Sequence, residues 1–276
     1  MLNELSLFSG YGGFSLGLRL AGMETRTVGY VEIDKYCQQI IQARIRDGFL
    51  DDAPIFPDIS TFNGARCRGV VDIITAGFPC QPHSVAGQQR GEADDRNLWP
   101  DTLRVIRDVG PRFVLLENVP GILANGYAGT VVGQLSEAGY DCLWGCVSAA
   151  SVGAPHRRER WWLLAYARHS EQPRRDEATN RKQSSESLLE WATCSFSPSC
   201  GSAVADAAGS RCKAWQPDGM GANSRNVRPP TCVGWWSTEP DVGRVVDGVA
   251  HRVDRLRALG NGIVPLQLAY FLRKLA

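Results

Sequence analysis

Two periods of apolar and polar positions alternate along the first 167 residues, with short apolar runs separated by stretches whose apolar residues recur at helical spacing. That alternation predicts a parallel sheet built from strand–helix–strand units. Leu5–Leu7 predicts a strand, followed by the glycine-rich turn Phe8-Ser9-Gly10-Tyr11-Gly12-Gly13. A helix follows over Phe14–Ala21, with Leu16, Leu20 and Ala21 on one face. Thr27–Val31 predicts a second strand ending at Glu32, and Lys35–Ile45 a second helix. Val70–Thr75 is a nearly continuous apolar run, as in a strand covered on both faces, and leads into Ala76-Gly77-Phe78-Pro79-Cys80-Gln81. Phe113–Leu116 is similar and ends in Glu117-Asn118-Val119-Pro120. A helix near Thr130–Ala138 and a strand over Trp161–Ala165 complete this half.

Beyond Ala167 the pattern dissolves. Arg168 to Val245 is rich in Ser, Arg, Gly and Pro with no clear period, the composition of a loop-rich subdomain or a partly disordered stretch. Helical spacing returns after Gly260-Asn261-Gly262, with Leu266, Ala269, Tyr270 and Leu272. No repeat of solenoid period is present. The expected organisation is a large α/β domain over 1–167, a separate region over 168–245, and a segment over 246–276 that rejoins the first.

Composition narrows the class. Thirty Lys and Arg against 29 Asp and Glu leave a charge of +1, so contact with a polyanion has to come from a local basic patch. Hydrophobic residues at 43% supply a sizeable core. No apolar run reaches the roughly 18 residues of a membrane span, and the first residues lack the basic flank of a secretory signal. Nine scattered cysteines then read as reduced thiols in a cytoplasm. Cys194, Cys200, Cys212 and Cys232 contain no Cys-x-x-Cys pair, so no metal site is expected. Cys142 and Cys146 fall in a strand-like run and are expected in the core.

Open parallel sheets bind ligands at the carboxyl ends of their strands, which is where the polar residues gather. The first turn is Gly-x-Gly-Gly, not a dinucleotide fingerprint; it lets backbone approach a ligand, and an acid such as Glu32 ending the second strand suits a ribose diol. Cys80 leaves an apolar strand for a polar loop over His83–Asn97, the setting of a reactive thiolate rather than an inert core thiol. Glu117 ends the neighbouring strand, where burial would raise its pKa and suit it to donate a proton. The run His156-Arg157-Arg158-Glu159-Arg160 is either a solvated basic face or an anion contact built from guanidinium forks.

Taken in order, Phe8-Ser9-Gly10-Tyr11-Gly12-Gly13, Pro79-Cys80-Gln81, Glu117-Asn118-Val119, Arg158-x-Arg160 and Gly260-Asn261-Gly262-Ile263-Val264 resemble the motif series of the DNA (cytosine-5)-methyltransferases. The resemblance covers residues 4–167 and 251–276, and the short overall form is similar to the enzymes of bacteriophages and prophages. It implies a doubly wound, mostly parallel α/β sheet of the S-adenosylmethionine-dependent methyltransferase type, with a small inserted target-recognition domain over 168–245.

The resemblance also implies roles. S-adenosyl-L-methionine would lie against Phe8, Gly10, Gly12, Gly13 and Pro79, with Glu32 on its ribose, Asp58 and Ile59 at its adenine, and Asn261 and Ile263 closing the pocket. Cys80 would add to cytosine C6, Glu117 would hold N3, Arg160 would hold O2, and Arg158 would lie near the thiolate and the nucleic-acid backbone. Gln81 and Ser84 would close on a base flipped out of duplex DNA. His156 departs from the family, where Gln is usual. The expected setting is a monomer acting on double-stranded DNA in the cytoplasm of a bacterium or phage-infected cell, without membrane contact and with a cognate restriction endonuclease as a possible companion. Two alternatives stay open: a cytosine-5 RNA methyltransferase acting on transfer RNA, and a catalytically silent DNA-binding regulator.

Overall fold

The computed structural model describes residues 1–79, 97–168 and 252–275, together with the backbone of a short strand at Cys212–Trp215. Along the chain the elements are β1 (Leu2–Leu7), α1 (Gly13–Leu20), β2 (Thr25–Val31), α2 (Lys35–Arg46), β3 (Ile55–Phe56), β4 (Ile73–Ala76), α3 (Trp99–Val109), β5 (Phe113–Asn118), α4 (Gly121–Ala124), α5 (Tyr127–Glu137), β6 (Tyr140–Ser148), β7 (Glu159–Ala167), β8 (Cys212–Trp215), α6 (Arg252–Asn261) and α7 (Pro265–Leu275). The strands form one sheet in the order β3-β2-β1-β4-β5-β7-β6-β8. Every pairing from β3 to β5 is parallel, and β7 alone runs against both of its neighbours.

Helices cover both faces, which is why the central strands read as continuous apolar runs. On one face Trp99, Leu103 and Ile106 of α3 and Val131 and Leu135 of α5 pack on Leu5, Leu7, Ile74, Val114 and Leu116. On the other, Phe14 and Leu18 of α1 and Leu268, Phe271 and Leu272 of α7 pack on Ile73, Phe113, Leu115 and Trp162. The strand–helix–strand units are those the sequence pattern predicts, and the doubly wound, mostly parallel sheet is the one the family resemblance implies.

Two helix faces depart from expectation. Leu16 and Leu20 of α1 point outward, at 44% and 36% exposure, while Gly13, Phe14, Ser15, Gly17 and Leu18 are buried. The small residues decide this: at Gly17 an added Cβ would lie 2.7 Å from Leu268, so α1 buries its narrow side to let α7 lie close. In α7 the buried residues are Gln267, Leu268, Ala269, Phe271, Leu272 and Leu275, leaving Leu266 and Tyr270 at the margin. Val70, expected inside a strand, is half exposed before β4 begins at Ile73. Cys142 is fully buried and Cys146 half-buried, and burial pushes Cys146 up to about 11, which keeps it unreactive. Among the described residues no helix is long and apolar enough to cross a membrane.

The C-terminal helix is thereby part of the core laid down by the first strands. Leu268→Ala, which empties a fully buried site between α7 and Gly17, is expected to cost about 3 kcal/mol in urea unfolding monitored by tryptophan fluorescence. A loss under about 1 kcal/mol would mean that α7 is dispensable to the fold.

Candidate active site

The parallel strands deliver their carboxyl ends to one edge of the sheet, and the antiparallel β7 brings its first residues to the same edge. Phe8, immediately after β1, sits at φ 52°, in the left-handed region that non-glycine residues rarely occupy. Gly10 and Gly12 follow at φ 55° and 84°. Ser9 fixes the turn by donating from Oγ to the Ser6 carbonyl at 2.8 Å. Beside Gly10 there is open space, since nothing lies within 4 Å of where its Cβ would be.

Glu32 closes this turn from β2. Gly10 N–H donates to its Oε2 at 2.7 Å and Asp34 N–H to its Oε1 at 2.8 Å. Burial raises the pKa of Glu32 while those backbone donors oppose the shift. Ile33, next in the chain, is 70% exposed at the same edge.

Asp58 and Ile59 lie on the turn after β3. The Asp58 carboxylate accepts from Ser60 N–H at 2.8 Å, a bond that holds its pKa low, whereas the Ile59 side chain is buried among Phe62, Trp99 and Leu103. Arg104 of α3 holds this turn by its carbonyls, donating to Phe62 O at 2.9 Å and Ile59 O at 2.5 Å.

Glu117 is buried at the end of β5, and Arg160 Nε lies 2.8 Å from its Oε1. The register makes the pair: Glu117 stands opposite Trp162, so Arg160, two residues earlier on β7, is its diagonal neighbour on the same face. The pocket around the carboxyl is tight, for a Cβ at Gly77 would lie 3.3 Å from Glu117 Oε2 and 3.6 Å from the Phe14 ring. Burial pushes Glu117 up to about 7, and the positive charges of Arg160 and Arg158 limit the rise. A carboxyl poised there can both donate and accept a proton at neutral pH.

Arg158 sits just outside β7 at φ 26°. Its Nη2 donates to Gly260 O at 2.9 Å and also to Gly262 O. Gln267, wholly buried on α7, fixes the strained backbone by donating to Arg158 O at 2.7 Å and Val147 O at 2.9 Å. Asn118 donates to Phe78 O at 3.0 Å and so pins the chain just before Pro79. Ile263 is buried against Phe14 and Leu18, while Asn261 is exposed at the end of α6.

The structure therefore joins Gly10 to Glu32, Gly13 to Ile263, and Glu117 to Arg160, and places Phe8, Gly12, Pro79 and Arg158 at the same edge. Cys80, Gln81 and Ser84 lie outside the described residues, as do 169–211 and 216–251 with their arginines and tryptophans. Sequence reasoning missed Tyr11, Arg104 and Gln267 as contributors. Tyr11 stood within a recognised motif, but its partner Ile263 is 252 positions away and no local pattern links them.

A model of the C-5 cytosine-specific DNA methylase family matches residues 2–214. The Type II methyltransferase M.CviJI of Paramecium bursaria Chlorella virus IL3A is 36% identical over 162 residues, 58% of this chain and 42% of that protein. The Type II methyltransferase M.NlaX of Neisseria lactamica is 35% identical over 173 residues, 61% of this chain and 53% of its own length. The chain thus spans about half the length of these curated relatives. Among solved structures, a mutant DNMT2 of Spodoptera frugiperda shares the fold, with a TM-score of 0.52 at 20% identity over 65% of this chain and 54% of that one.

Glu117 makes stability depend on pH. In the unfolded chain it ionises near 4.5 and in the folded protein near 7, so the folded state holds the extra proton between these values and stability falls as pH rises. Glu117→Gln removes the titration. The stability of wild type relative to this variant is expected to decline by about 3 kcal/mol from pH 4.5 to above 7, measured by urea unfolding across the range. Parallel curves would show that Glu117 is ionised throughout.

Proposed function

The chain belongs to the C-5 cytosine-specific DNA methylase family, and from that premise we propose that it transfers a methyl group from S-adenosyl-L-methionine to C5 of cytosine in duplex DNA. The observation that carries this reading is the buried Glu117, held near neutrality and paired with Arg160 beside the glycine turn. Such a pair suits a neutral heterocycle that gains charge as it is attacked.

The pocket suits the cofactor. Glu32, whose oxygens accept from the backbone N–H groups of Gly10 and Asp34, keeps acceptor capacity for a ribose diol, and among the described residues open space adjoins Gly10. Exposed Ile33 offers an apolar ledge to the adenine, Asp58 stands nearby on the turn after β3, and Ile263 backs the glycine turn. S-adenosyl-L-methionine supplies an electrophilic methyl group on a sulfonium.

Cytosine C5 is a weak nucleophile, and the protein's task is to activate it. The Cys80 thiolate adds to C6, and the electron pair released through the ring is met by the proton that Glu117 supplies at N3. Arg160 holds both the Glu117 carboxyl and the base's O2. C5 would then take the sulfonium's methyl group, the S–CH3 bond breaking to leave a neutral thioether, and N3 would return its proton to Glu117. Loss of the C5 proton to a base and return of the C6–S electron pair to Cys80 restore the aromatic ring. The target must leave the stack to be reached, and Gln81 and Ser84 close behind it. Residues 168–245 are the recognition region of this reading, and the protein acts as a monomer on DNA within a bacterial or phage-infected cell.

Base-resolution methylation mapping of plasmid DNA from expressing cells tests the proposal. The expected result is 5-methylcytosine in one short sequence, none with Cys80→Ala, and a kcat about 10²–10⁴-fold lower with Glu117→Gln. Unmodified DNA alongside methylated transfer RNA in the same cells would move the substrate to RNA. Cofactor binding without modification of either would favour a silent regulator.

A further inference from the structure

The turn between α6 and α7 is held by contacts that the reaction above does not use. A helix leaves its last carbonyls without intrahelical partners, so the end of α6 at Asn261 presents acceptors that something else must satisfy. Two side chains from opposite parts of the fold meet this end and the turn just beyond it. Arg158 donates to Gly260 O and Gly262 O, and Tyr11, inside the glycine turn after β1, donates from its hydroxyl to Ile263 O.

Tyr11 also sets the distance of approach. Its ring lies where a Cβ on Gly262 would sit, and a Cβ on Gly13 would lie 2.7 Å from Ile263 Cγ1. The two turns therefore touch without an intervening layer. Burial raises the pKa of the Tyr11 phenol, which accordingly stays protonated and a donor at physiological pH. The charges of Arg158 and Glu117 also act on the phenol, the first lowering its pKa and the second raising it, while burial outweighs both.

We propose that Tyr11 is a positioning residue for S-adenosyl-L-methionine: by seating residues 260–264 against the glycine turn, it fixes the spacing between two walls of the cofactor pocket. The inference rests on the reading that this edge binds the cofactor. A phenol is suited to the task because its rigid ring carries the hydroxyl across the gap with few torsions to freeze.

Tyr11→Phe keeps the ring and removes only the donor. Calorimetric titration with S-adenosyl-L-methionine, without DNA, is expected to show a Kd roughly five- to tenfold weaker. A rise in KM for the cofactor should carry most of the loss in kcat/KM, and amide exchange at residues 262–264 should accelerate. Gly262→Ala, whose Cβ pushes on the same ring, should give the same signature by an independent route. Affinities within twofold of wild type in both variants would overturn the role, as would a lowered melting temperature with unchanged Kd and exchange. Wild-type protein that binds no S-adenosyl-L-methionine would overturn the cofactor reading itself, a result distinguishable from either.

Discussion

A carboxylic acid buried at the open edge of a parallel sheet is the constraint around which the rest is arranged. Burial alone would leave Glu117 protonated and inert, whereas the guanidinium of Arg160 brings it back to the neutral range. That balance needs a strand running the wrong way. Only because β7 enters the sheet antiparallel to β5 do its first residues, rather than its last, meet the carboxyl ends of β1, β2, β4 and β5. A parallel strand in that position would place Arg160 at the opposite edge.

The second requirement is closure by a distant segment. The glycine turn after β1 and the turn between α6 and α7 share a boundary made of Tyr11, Gly13, Gly262 and Ile263. The same C-terminal helix reaches past that boundary, where Gln267 steadies the backbone of Arg158. One helix thus supports the glycine turn and the backbone of Arg158 together. Its close approach depends on the small face of α1, and at Gly17 on the absence of any side chain.

Much of the sheet was legible in the sequence because central strands buried on both faces leave uninterrupted apolar runs, as at Phe113–Leu116 of the parallel β5 and Trp161–Ala165 of the antiparallel β7. Glu117 and Glu32 were legible for the related reason that an acid ending such a run stands out. The face of α1 was not, since counting apolar residues favours Leu16 and Leu20 over Gly13 and Gly17, whereas close helix packing favours the glycines. Helix α3 carries too many polar residues in Asp101, Arg104, Arg107 and Asp108 to stand out, yet Arg104 is what holds the turn bearing Asp58. Tyr11, Arg104 and Gln267 act on main-chain carbonyls far along the chain, and such acceptors leave no mark in a sequence.

The closing turn has a consequence for how the protein is made. Synthesis delivers the glycine turn first and its counterpart about 250 residues later, with the whole of 168–245 in between. Chains generally fold from the N-terminus as they emerge, but the glycine turn meets Gly262 and Ile263 only after residues 260–275 have left the ribosome. A nascent or prematurely released chain can lay down β1 to β5 and still lack the surface that Ile263 and Gln267 complete.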